Sequence, residues 1–216
     1  MCNIIGFPAG NTYSTKVNID KYAMTVDEKI KLQGLTKEIA SMPMMDIPDS
    51  NVFSDFSEED KKNIGRLDEI IWKEIPEMSV GKVLEEVKPV GGYEKANAVK
   101  DIVRKLKTDT SQVMYVGDSI TDAKAFELVG GLEGLAVSFN GNKYAVNAAD
   151  LGIMAENADP VEKLAYAFLA GGRKEAMQYA PEIGFTVLTD ENKASFAQES
   201  NKFRKTVRTK EIGRLG

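Results

Sequence analysis

The hexapeptide Gly117-Asp118-Ser119-Ile120-Thr121-Asp122 sets two carboxylates close together in a short polar stretch. It follows the apolar run Gln112-Val113-Met114-Tyr115-Val116 and precedes the helix-like segment from Ala123 to Val129. An acidic turn between a short buried strand and a helix can hold a hard cation. Mg²⁺ takes oxygen ligands and keeps several waters, so one or two carboxylates suffice when a substrate phosphate supplies the rest. The same letters could form the nucleophile block of a serine esterase. That chemistry needs an imidazole base, and the chain contains no histidine. The esterase reading therefore falls unless an unusual base is invoked. Taken alone, the two aspartates could equally be caps of the helix near Ala123.

The surrounding pattern supplies what would position such a turn. A helix is predicted over Tyr93–Lys107, with Ala96, Val99, Ile102, Val103 and Leu106 at helical spacing. Then come strand Gln112–Val116, the acidic turn, helix Asp122–Val129, strand Leu135–Phe139, helix Lys143–Ala148, strand Leu151–Met154 and helix Pro160–Leu169. Strands alternating with helices argue a parallel sheet with helices on its faces. Ligands bind such sheets outside the carboxyl ends of the strands, which is where the acidic turn falls. The segment Thr12–Asn18 reads as a strand, rich in β-branched residues and Tyr. Residues 20–88 hold helices and loops without a clear strand. They include a helix over Asp27–Ala40 and one opened by the N-cap Ser57, running to about Trp72 before Pro76 interrupts it. Trp72 and the nearby methionines read as packing. The expected architecture is an α/β core, Rossmann-like with a parallel sheet, formed by residues 1–19 and 89–216. Residues 20–88 form an inserted, mainly helical cap.

Composition excludes several classes. The chain has 216 residues and a net charge of −5, which gives no electrostatic footprint for nucleic acid or an anionic membrane. The basic cluster from Lys202 to Arg214 reads as a solvated helix face or a frayed tail. A single cysteine, Cys2, forbids an internal disulfide and fits a reducing, cytoplasmic compartment. No apolar stretch is long enough to span a membrane.

These residues resemble the haloacid dehalogenase-like superfamily of phosphohydrolases. The Gly117–Asp122 turn is similar to its fourth motif, whose acids bind Mg²⁺. Lys95, in Gly91-Gly92-Tyr93-Glu94-Lys95-Ala96, resembles the lysine of its third motif. Gly134-Leu135-Ala136-Val137-Ser138-Phe139-Asn140-Gly141-Asn142 is similar to the strand and turn that follow the metal site. The resemblance covers about residues 90–170, and the helical insertion falls where the superfamily places its cap. The chain as a whole is similar to archaeal members whose substrate is unknown. The resemblance implies an aspartyl-phosphate mechanism on a small phosphorylated molecule. In it, Asp118 is a direct Mg²⁺ ligand, Asp122 ligates directly or through water, and Lys95 neutralises phosphoryl oxygens. Ser119 and Asn140 stand beside the phosphate, although backbone bonding and turn chemistry explain them as well.

One departure bears on activity. The superfamily's first motif, an apolar strand ending in Asp-x-Asp, has no counterpart here, because no two aspartates stand at that spacing. A nucleophile is thus not assigned. Asp190, after Phe185–Thr189, lacks the second aspartate and reads as a strand end and helix cap. The expectation is a chain without the N-terminal part of a longer protein, with Met1–Gly6 the end of a helix. Alone it would be inactive, and it would self-associate or pair with an N-terminal partner fragment. The alternative is a non-catalytic accessory or scaffold subunit that uses the fold for partner binding.

Overall fold

The computed structural model describes residues 6–45, 47, 48, 50 and 52–212, excepting the side chains of 19 and 208–212. The expected helix end at Met1–Ile5 lies outside the described residues. The chain divides into two compact units, one made of Met1–Tyr13 with Val90–Gly216, the other of Ser14–Pro89.

The second unit is helical. Its helices are α1 (Val26–Ser41), α2 (Glu58–Glu69) and α3 (Lys82–Glu86). Thr25 and Glu28 close a reciprocal capping box at the start of α1. Ser57 caps α2 by accepting from the Asp60 amide. A wider helical turn, Ile70–Glu74, follows α2. Pro76 then ends the run because it has no N–H to continue it. Leu35, Ile70 and Met78 form the buried core of this unit. Trp72, expected to pack, is instead 66% exposed, and Met44 is also exposed. In that turn Ile70 takes the inward position and Trp72 faces outward.

The first unit is α/β. Its elements in order are α4 (Tyr93–Leu106), β1 (Met114–Gly117), α5 (Ala123–Gly130), β2 (Leu135–Phe139), α6 (Lys143–Ala148), β3 (Leu151–Ile153), α7 (Asp159–Tyr179), β4 (Thr186–Val187) and α8 (Lys193–Ile212). The sheet runs β1-β2-β3-β4. The first three strands are parallel, with Gly117 beside Ser138 and Phe139 beside Ile153. β4 is antiparallel to β3, with Gly152 beside Thr186.

Alternation along β2 sends side chains to two buried faces. Leu135 and Val137 pack with Leu151, Ile153, Leu164 and Phe185. Ala136 packs with Phe126 and Ala145, and Tyr115 joins them. Burial on both faces is what a parallel sheet with helical cover requires.

One expectation fails for a physical reason. Thr12–Asn18 forms no strand and, among the described residues, joins no sheet, because β-propensity without a neighbouring strand to pair leaves backbone in solvent. The helix expected over Pro160–Leu169 does break just past that end: Gly171 and Gly172 leave helical geometry, the latter with φ of 68° and ψ of −160°, and a second helical run follows to Tyr179. A positive φ of this kind is open to glycine and interrupts the helical hydrogen bonding.

Candidate functional site

The carboxyl ends of β1, β2 and β3 form a rim carrying Asp118, Asn140 and Ala155. The turn after β1 is built around Asp122. Asp122 is 3% exposed, and its carboxylate is held on both oxygens. Oδ2 accepts from the amides of Asp118 and Ser119, each at 3.1 Å, and from the Ser119 hydroxyl at 3.0 Å. Oδ1 accepts from Lys95 Nζ at 2.6 Å and from the Tyr115 hydroxyl at 2.9 Å. Gly117 makes room for this arrangement, since a Cβ there would sit 2.5 Å from Asp122 Cγ. Asp122 does not make the side-chain cap bond to α5 expected of it; its carboxylate instead closes a capping box with Ser119 on the short turn Ile120–Asp122 and pairs with Lys95.

Lys95 is delivered by the start of α4. Gly92, with φ of 53° and ψ of −115°, adopts a backbone conformation open to glycine. Its amide donates to Thr121 O at 2.9 Å, tying the head of α4 to the acidic turn. Lys95, in the first turn of α4, then reaches Asp122 and also donates to the Thr121 hydroxyl at 2.9 Å. The lysine side chain is 28% exposed, so its ammonium lies at the boundary between the turn and solvent.

Burial pushes the Asp122 carboxyl up, but Lys95, the Asp118 amide and the Tyr115 hydroxyl outweigh it and hold the group below its usual value of 3.8. Tyr115 moves upward, because burial and then the Asp122 charge both disfavour a phenolate. Its ring stacks edge-on against Phe126 with centroids 5.4 Å apart. Tyr115 was not singled out from the sequence. The available signal was a phenol in a buried strand, whose hydroxyl must find a partner.

Asp118 has different partners, and its side chain is 34% exposed. Its carbonyl accepts from the Asn142 amide at 2.9 Å and from Arg204 at 2.8 Å. Its Oδ2 accepts from Arg204 at 2.9 Å. The reading of the basic C-terminal cluster as a solvated face fails at Arg204, whose side chain is only 13% exposed. Asn140 binds Ala155 through both ends of its amide, at 2.7 and 2.9 Å, and so ties the end of β2 to the segment after β3. The Ser119 hydroxyl lies 2.9 Å from that of Thr121. A cavity of about 180 Å³ is lined by Asp118, Phe139, Asn140, Arg204 and Val207.

Asp118 suits a hard cation, because a carboxylate oxygen and a carbonyl oxygen of one residue already hold a cationic group together. Asp122 does not offer a bare oxygen and reaches a cation only through its neighbours or through water. Among the described residues no group of three or more His, Cys, Asp or Glu side chains could hold a metal.

Asp190 lies elsewhere. β4 runs against β1–β3, so its carboxyl end falls at the opposite edge of the strands, where the Leu188 amide donates to Asp150 O. Its side chain is fully solvated.

Residues 3–164 match a family model described as haloacid dehalogenase-like hydrolase. The solved structure of a gene product from Archaeoglobus fulgidus is similar, with a TM-score of 0.73 and 25% identity. The similarity covers 96% of this chain and 60% of that one. No curated protein matches. Among the described residues, no helix is long and apolar enough to cross a membrane.

Proposed function

The chain belongs to the haloacid dehalogenase-like hydrolases, and on that premise we propose that it carries the lysine and acidic-turn portion of a Mg²⁺-dependent phosphohydrolase site. The substrate class is a small phosphate monoester, and the compartment is the cytoplasm. The observation that carries this reading is the contact of Lys95 Nζ with Asp122 Oδ1 at 2.6 Å, beside Asp118 at the carboxyl end of β1. Asp118 would hold Mg²⁺, whose chemistry there is to neutralise charge on a phosphoryl group. Lys95 presents its ammonium to a phosphoryl oxygen as a point charge. Asp122 fixes that ammonium, and Tyr115 with the turn amides fixes Asp122. Preorganised charge of this kind is what phosphoryl transfer asks of a protein.

The chain contains no Asp-x-Asp, so the nucleophile and the acid-base aspartate come from a further segment. β1 is the outer strand of the sheet. Among the described residues no strand pairs with its outer edge, which can take another strand, from a second copy or a partner fragment. Without that segment the chain binds but does not turn over, because nucleophile and base supply most of the chemical acceleration.

Hydrolysis of p-nitrophenyl phosphate with Mg²⁺ tests this reading. We expect none from the chain alone and measurable turnover once a segment with an apolar strand ending in Asp-x-Asp is supplied. Inertness in both cases would instead support an accessory subunit that reuses the fold for binding. The hold of Arg204 on Asp118 favours that second reading.

A further inference from the structure

We propose that the C-terminal helix is a built-in competitor for the cation site. The Arg204 guanidinium occupies Asp118 and must leave before a hard cation can be ligated there. This inference rests on the reading of Asp118 as a cation ligand given above.

Phe196 packs against Gly152, where a Cβ would lie 2.5 Å from the ring. Phe196 and Ala197 share a buried cluster with Val146, Ala149 and Leu188. One turn on, the fully buried Ser200 donates to Gly141 O at 2.7 Å. Residues 196, 200 and 204 recur every four positions, so one face of the helix carries all three. The same face that grips α6 and the β2–α6 turn therefore delivers Arg204 to the rim. Arg204 lies beyond the family match, which ends at residue 164.

The contact is a fork. One guanidinium nitrogen takes Asp118 O at 2.8 Å and another takes Asp118 Oδ2 at 2.9 Å. The carboxylate oxygen is the ligand type that Mg²⁺ takes, with waters and phosphate completing its shell. A cation on Oδ2 would displace the second of these bonds and stand within a few ångströms of a guanidinium that cannot lose its proton. Like charges at that range repel, so arginine and metal exclude one another. Because Phe196, Ala197 and Ser200 hold the preceding turns of α8, release can be confined to the segment from about 201 onward.

Mg²⁺ titration by calorimetry on the full chain, comparing wild type with Arg204→Gln and Arg204→Lys, tests the proposal. A charge-assisted bond is worth enough that Arg204→Gln should bind Mg²⁺ about tenfold more tightly than wild type. Arg204→Lys, charged but unforked, should fall between them. In wild type, amide hydrogen exchange over residues 201–207 should quicken when Mg²⁺ is added, while exchange over 196–200 stays unchanged. Equal or weaker Mg²⁺ binding by Arg204→Gln, with Mg²⁺ binding retained in wild type, would overturn the competitor and leave the cation site standing. Absence of Mg²⁺ binding in all three proteins would overturn the cation site itself, and the competitor with it. Circular dichroism melts of each variant separate these outcomes from loss of fold.

Discussion

Replacing Lys95 by methionine keeps the aliphatic stem and removes the ammonium. Asp122 is then left buried with only neutral donors: the Tyr115 and Ser119 hydroxyls and two backbone amides. A hydrogen bond between charged groups contributes about 1.5–3 kcal/mol. The partial exposure of Lys95 argues for the middle of that range, so a loss of about 2 kcal/mol is expected at pH 7. The pH dependence follows from the depressed Asp122 carboxyl. A group held below its unfolded value adds stability above that value and loses it as pH falls through the folded one. In Lys95→Met the main opposing charge is gone and burial pushes the carboxyl upward. The difference between the two proteins should therefore be full at neutral pH and shrink as pH falls from the variant's raised titration through the wild type's depressed one. Urea denaturation of wild type and variant at several pH values reads this directly. An ordinary surface lysine would change stability by less than about 0.5 kcal/mol. A difference that small, or one of equal size in acid and at neutrality, would refute the reasoning.

Gly117→Ala should cost about 1–3 kcal/mol, the range for overpacking a well-filled site. The added Cβ would meet Asp122 Cγ at 2.5 Å, and loss of the aspartate's depressed titration by NMR would report its displacement. In the helical unit, Ile70→Ala empties a fully buried position beside Leu35 and Met78. It should cost roughly 2–5 kcal/mol, followed by the fluorescence of the single tryptophan, Trp72, during denaturation. Glu28 should titrate at about 2, because the Ser79 and Thr25 amides both donate to it. Its stabilising contribution is present above 4.5 and lost as pH falls through about 2. A carboxyl-carbon NMR titration with its midpoint near the ordinary glutamate value would contradict that hold.

Local pattern carried far into this fold. β2 and α6 begin and end at the expected residues, Leu135–Phe139 and Lys143–Ala148, because both are short and bounded by turn residues. Ser57 marks its helix start because a hydroxyl at that position satisfies an otherwise orphaned amide. What local pattern could not carry is pairing. Nothing within Thr12–Asn18 says whether a strand lies beside it, and the position of Asp190 depends on β4 running antiparallel. The site divides the same way. Asp118, Asp122 and Lys95 stand out because their residue types and the turns around them are local signals. Arg204 comes to Asp118 from 86 positions away, carried by a helix face that is set by Phe196 and Ser200. Tyr115 looks like any strand aromatic until the partner of its hydroxyl is known.

A cation at Asp118 and a phosphate at Lys95 should share one rim. Crystals of the full chain grown with Mn²⁺ and inorganic phosphate, measured for anomalous scattering, decide this. A metal peak is expected within bonding distance of the Asp118 carboxylate, with phosphate density between that metal and Lys95 Nζ. A metal peak at other carboxylates, or phosphate bound away from Lys95, would contradict it.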